Sequence, residues 1–155
     1  TMDALSFGGL DEGQIIRMEA PGYMGPTIDY GVTFERATRV KFGDRSHFYI
    51  SGTASIDESG NVMHNYDAAS QAKRAIINVE QLMKQQGATL LDMAYYIVYL
   101  RSTHDVNKVE NVLSLYLPDS IPVIYVEGAV CRPNWLVEIE GVGVSLDSSD
   151  YPAFL

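Results

Sequence analysis

The segment CRPNWLVEIEGVGV, residues 131–144, carries the chain's single cysteine and single tryptophan, an arginine directly after the cysteine, and two glutamates at 138 and 140. Leu136, Val137, Ile139, Val142 and Val144 give the run the composition of a strand. Alternation along a strand puts Leu136, Glu138, Glu140, Val142 and Val144 on one side, and Trp135, Val137, Ile139, Gly141 and Gly143 on the other. A carboxyl among such neighbours is partly desolvated, which raises its pKa toward the range useful for proton transfer near neutrality. The guanidinium of Arg132 could pull that value down again, or hold a substrate carboxylate in a bidentate fork. A purely structural reading of Glu138, paired with an arginine or a backbone N–H at a subunit interface, stands level with the catalytic one. For Cys131 the inert reading outweighs the reactive one, since lone buried cysteines rarely do chemistry.

Other chemistries have less in their favour. His47, His64 and His104 are widely spaced and share no ligand pattern with Cys131, so no metal site is expected. The chain contains no GxGxxG, GxxxxGK[ST] or GxSxG motif, so neither a phosphate-cradling loop nor a nucleophile elbow is signalled. Eleven basic against 20 acidic residues give a net charge of −9, the wrong sign for tracking a phosphate backbone, so no nucleic-acid partner is expected. No apolar run approaches the roughly 18–20 residues of a membrane span. The first residues lack a basic region followed by an apolar core, which with one cysteine leads us to expect a cytoplasmic, reducing location and no disulfide within the chain.

The elements that must position these residues follow from composition and period. Residues 1–33 hold six of the 13 glycines and two of the six prolines and read as an extended arm with one short strand at 13–19. Runs 34–42 and 47–56, separated by a Gly-Asp turn, read as a hairpin. In the second run Phe48, Ile50, Gly52 and Ala54 are expected on one face, and Gly52 hints at a close approach or a bulge. Ala68, Ala72, Ala75, Ile76, Val79, Leu82 and Met83 recur at helical spacing within 65–86, with Asn65 or Asp67 to cap the start and Gly87 to end it. A strand at 93–101, a helix at 102–117 and strands at 121–130 and 134–144 complete one α+β domain over 34–146. The tail at 147–155, polar then apolar, is expected to dock on a neighbouring surface. Helices can cover only one face of this sheet, so the other calls for a second copy of the chain.

The stretches YISGTASID, QAKRAIINVEQLMKQQGAT and LVEIEGVGV, in this order of elements, resemble the Rid/YjgF superfamily over about residues 34–145. The resemblance implies a six-stranded mixed sheet with two helices on one face, assembled as a homotrimer with sites in clefts between subunits. Typical members are enamine or imine deaminases that grip the substrate carboxylate with an arginine early in the penultimate strand. Here Val123 or Ile124 stands at that place. The stretches FERATRVKF, YIVYLRS and VCRPNWLVEIEG are similar to the catalytic half of chorismatases, which cleave an enolpyruvyl ether. That likeness implies Glu138 as proton donor with Cys131 beside it, Arg132 and Tyr125 holding carboxylates, and Gly52 and Thr53 lining the cleft. Arg36 and Arg101 are further candidates. The implied protein acts on a small carboxylate without metal or organic cofactor. The alternatives are a typical Rid deaminase and a non-catalytic ligand-binding trimer.

Overall fold

The computed structural model describes residues 4–154. Its elements are β1 (Ile15–Met18), β2 (Ala37–Lys41), β3 (Arg45–Ala54), α1 (Ala68–Lys84), β4 (Met93–Leu100), α2 (Val106–Leu113), β5 (Val123–Glu127) and β6 (Val137–Leu146). They form one six-stranded mixed sheet in the order β1-β2-β3-β6-β4-β5, in which only β4 and β5 run parallel. The short strand expected in the arm is the edge strand β1.

Helix α1 starts where Asp67 accepts a hydrogen bond from the Ser70 N–H at 3.1 Å. Its alanine-rich face is fully buried against β3 and β6, with α2 alongside adding Val109 and Leu113 to the same core. The helix expected at 102–117 is shorter. A single 3₁₀ turn at Thr103–Asp105 leads into α2, whose last turn unwinds before Pro118.

The face not covered by helices carries Tyr95, Ile97 and Tyr99 of β4, Ile124 and Val126 of β5, and Val142 and Val144 of β6, together with both glutamates. One end of this face is closed by the chain's own termini. Phe7 lies 5.9 Å from Phe42 and 6.1 Å from Tyr49, and Phe154 lies 4.9 Å from Phe42 and 4.6 Å from His47. The tail therefore docks on its own β2–β3 end, pinned by the Gly43 N–H donating to the Pro152 carbonyl at 2.8 Å.

Strand β3 departs from simple alternation. Ile50 pairs with Gly141 but Thr53 pairs with Ile139, so β3 holds one extra residue there, a β-bulge. A one-residue slip exchanges the faces. Phe48 and Ile50 face the helices as expected, while Ala54, opposite Glu138, lies on the open face and Thr53 turns toward the helices.

Candidate functional site

Beyond the bulge the open face is hollow. A cavity of about 380 Å³ is floored by Ser51, Gly52 and Ala54 of β3 and Glu138 of β6. Cys131, Arg132 and Trp135 of the loop before β6 form one wall, and Ile56 and Gly60 of the turn after β3 another. Val32, Phe34 and Arg36 close it from the arm and the start of β2.

Each wall is tied down. Gln71 of α1, fully buried, donates to the Asn134 carbonyl at 2.9 Å and accepts from the Leu136 N–H at 2.7 Å. Arg101 donates to the carbonyls of Trp135 at 2.8 Å, Val130 at 2.9 Å and Arg132 at 2.7 Å, so its guanidinium holds the loop from behind. Asn78, buried on α1, donates to the Ala54 and Ile56 carbonyls and fixes the end of β3. The turn at 57–61 is braced by Asp57, which accepts from the N–H groups of Ser59 and Asn61 at 2.9 Å.

Glu138 is the acid of this cavity. Its side chain lies against Gly52 so closely that a Cβ there would overlap the carboxylate, which explains a glycine in mid-strand beside a bulge. Burial, and secondarily the charge of Glu140, push its pKa above the ordinary glutamate value. Glu140 lies on the same face two residues on, where its carboxylate accepts a hydrogen bond from the Tyr99 hydroxyl at 2.7 Å.

Two cations share the cavity with that acid. Arg132 stacks on the Trp135 ring, 4.9 Å from its centroid, and reaches across to donate to the Gly60 carbonyl at 3.3 Å. Arg36 is only 7% exposed, donates to the Gly25 carbonyl at 3.0 Å and stands over the Phe34 ring at 5.3 Å. Desolvation pushes its pKa down to about 10, so it keeps its charge at neutral pH but is poorly hydrated. An acid with a raised pKa beside guanidinium groups in an apolar hollow can hold a carboxylate and deliver a proton to it.

The structure thus brings Glu138, Cys131, Arg132, Gly52 and Arg36 together and leaves two expected residues elsewhere. Thr53 is buried on the helix side, its hydroxyl donating to the Ser51 carbonyl at 2.9 Å, because the bulge reverses its direction. Tyr125 pairs with Val98 on the helix-covered face and lines a separate surface hollow with Glu110 and Leu113. Burial, then the charge of Glu110, raises its pKa. Val32, Phe34 and Trp135 line the cavity without having been singled out as site residues. Only Gln71 and Asn78 left a sequence trace, as polar residues seven apart on the alanine face of α1. Among the described residues no group of three or more His, Cys, Asp or Glu could hold a metal ion.

The sequence model of the family described as endoribonuclease L-PSP matches residues 37–145. The chain belongs to that family. A curated member, the 3-aminoacrylate deaminase RutC of Acinetobacter baylyi, is 30% identical over 95 residues, which is 61% of this chain and 75% of the relative. A chorismatase crystal structure superposes with a TM-score of 0.74 at 27% identity, covering 88% of this chain. This family member spans only 44% of that chorismatase chain. A RidA from the Antarctic bacterium Psychrobacter sp. has the same fold, with a TM-score of 0.68 at 22% identity over 83% of this chain and 98% of its own. Among the described residues no helix is long and apolar enough to cross a membrane.

Proposed function

We propose that this L-PSP family member is a cofactor-independent enzyme that protonates carbon in a small unsaturated carboxylate, with Glu138 as general acid. The observation that carries the reading is the desolvated Glu138 carboxyl, seated on Gly52 at the floor of an apolar cavity that also holds Arg36 and Arg132. The reaction we favour is cleavage of an enolpyruvyl ether, as the likeness to chorismatase suggests. The guanidinium groups hold the substrate carboxylate. Glu138 gives its proton to the terminal methylene carbon, the alkene electron pair forming the new C–H bond and leaving an oxocarbenium. Water adds to that carbon and returns a proton to the Glu138 carboxylate. The hemiketal then breaks its C–O bond to release the alcohol and pyruvate. Cys131, at the lip of the cavity, contacts the substrate beside the reacting ether.

A second reading draws on the RutC relative. An enamine next to a carboxylate is also protonated on carbon, after which water displaces ammonia. The two reactions ask the same first step of Glu138 and differ in the leaving group. Incubation with chorismate, following pyruvate, tests the first reading. Release of ammonia from 3-aminoacrylate that is lost in Glu138→Gln supports the second. Failure of both substrates, with Glu138→Ala altering only ligand affinity, leaves a binding protein.

The proposal includes a homotrimer, because Ile124, Val126, Val144 and Tyr95 leave an apolar sheet face open in the single chain. Sedimentation is expected to give about three times the 17.2 kDa chain mass at micromolar concentration. A monomer there contradicts the assembly.

A further inference from the structure

A second cavity of about 340 Å³ adjoins the first, and Phe34 and Arg36 line both. Its outer side is backbone of the arm, at Pro21, Gly22, Gly25 and Pro26, and its far side is Glu58 and Ser59 of the turn after β3. Much of it lies before residue 37, where the family match begins.

This hollow is built, not a gap under a loose arm. Met18, Ala20 and Met24 are buried in the core on the arm's inner side. One guanidinium, that of Arg74, donates to the Tyr23 carbonyl at 2.9 Å and the Ile56 carbonyl at 3.0 Å, riveting the arm to the end of β3. Gly25 packs so closely on the Glu58 carbonyl that a Cβ would overlap it, so arm and turn meet as a fixed seam. The chain beyond is closed into a loop by the Thr27 hydroxyl donating to the Phe34 carbonyl at 2.8 Å. Phe34 is presented from that closure, at the boundary between the two hollows.

We propose that the second cavity is an extension subsite of the first, so that the preferred ligand is an elongated carboxylate running past Phe34, with a tail that carries hydrogen-bond donors. The anionic head lies near Arg36 and Arg132 with the unsaturated carbon toward Glu138, and this part rests on the functional reading above. The tail is a donor because two glutamates, Glu19 and Glu58, line the second hollow, whereas the Glu35 carboxylate is already engaged by Arg17 at 3.1 Å. An amine or a pair of hydroxyls meets that chemistry. Phe34 acts as the partition that sets how far a ligand extends, which makes it the specificity-determining residue of the site.

The test compares benzoate with 4-(4-aminobutyl)benzoate, and benzamide with 4-(4-aminobutyl)benzamide, by calorimetric titration of the whole chain. The quantity read is the affinity ratio of tailed to untailed probe. The ratio is expected to be at least about tenfold in the native protein. Ser59→Trp, which fills the second hollow, brings it to near one, and Glu58→Gln, an exposed change that spares the fold, lowers it at least about threefold. A native ratio near one, a ratio untouched by both substitutions, or no binding of any probe overturns the proposal. If only the amides bind and keep the ratio, the extension stands and the carboxylate reading of the first cavity falls.

Discussion

Strands β3 and β6 run the length of the open sheet face, and their two ends are finished in opposite ways. At one end Phe7 and Phe154, from the two termini of the chain, close over Phe42, His47 and Tyr49. At the other end, past the bulge, the same strands offer Gly52, Ala54 and Glu138, and the arm and the loop before β6 stand back to leave a hollow. Where large rings are available the face is filled. Where small residues and a carboxylate replace them, packing is given up and a desolvated acid is exposed to whatever enters. A stability gradient and an activity gradient should therefore run in opposite directions along one pair of strands.

The largest effect is expected at the hollow end. Glu138→Gln should lower turnover by at least about 100-fold, measured as 2-keto acid release, with the fold intact by circular dichroism. Next, Gly52→Ala drives a Cβ into the Glu138 carboxylate. It should lower turnover by about 10- to 100-fold and cost about 1–3 kcal/mol in a denaturant titration. Gly8→Ala, where a Cβ meets nothing within 4 Å, should do neither. At the filled end Phe154→Ala should cost about 1–2 kcal/mol and leave turnover within about twofold. An equal loss of activity there would break the comparison.

The smallest effects are in pH, and their signs separate the two ends. Burial raises the Glu138 pKa, so the folded state favours the neutral acid and stability falls as pH rises from the ordinary glutamate range through the raised value. Glu138→Gln should therefore raise Tm relative to the native protein at pH 8 and not at pH 4. His47 is the opposite case. Burial and then the charge of Arg45 push its pKa below the ordinary value, against a smaller opposing pull from Asp44. The folded state thus favours neutral imidazole, and stability is lost as pH falls through the ordinary histidine value. His47→Phe should flatten that acid limb in a thermal scan series. Sharing one limb between both substitutions would mean that the two ends are electrostatically coupled.

The difference between the ends also explains how much could be read from the chain alone. Period and composition suffice for the existence of both helices, the order of elements along the chain and the placing of Glu138 and Glu140 on one face, because those signals are local. The bulge is not local. Gly52 hinted at it, but the exchange of faces that turns Thr53 toward the helices and Ala54 to the open face depends on pairing with β6, 86 residues on from Thr53 at Ile139 and 84 on from Ala54 at Glu138. Tyr125 was expected beside Glu138 from family likeness, yet strand alternation sets it on the helix side, in register with Val98. Val32 and Phe34 sit in a stretch of turns with no period, so nothing in the arm marks which of its side chains returns to the sheet. Arg101 resembled a site cation but spends its donors on three backbone carbonyls.

The central claim is that Glu138 delivers a proton to the methylene carbon of an enolpyruvyl ether. Incubating the native protein and Glu138→Gln with chorismate in heavy water, and observing the pyruvate by proton NMR, tests it directly. The account predicts pyruvate released with one deuterium in its methyl group, at a rate at least about 100-fold lower in the variant. Equal release by both proteins, or none above the protein-free blank, would contradict it.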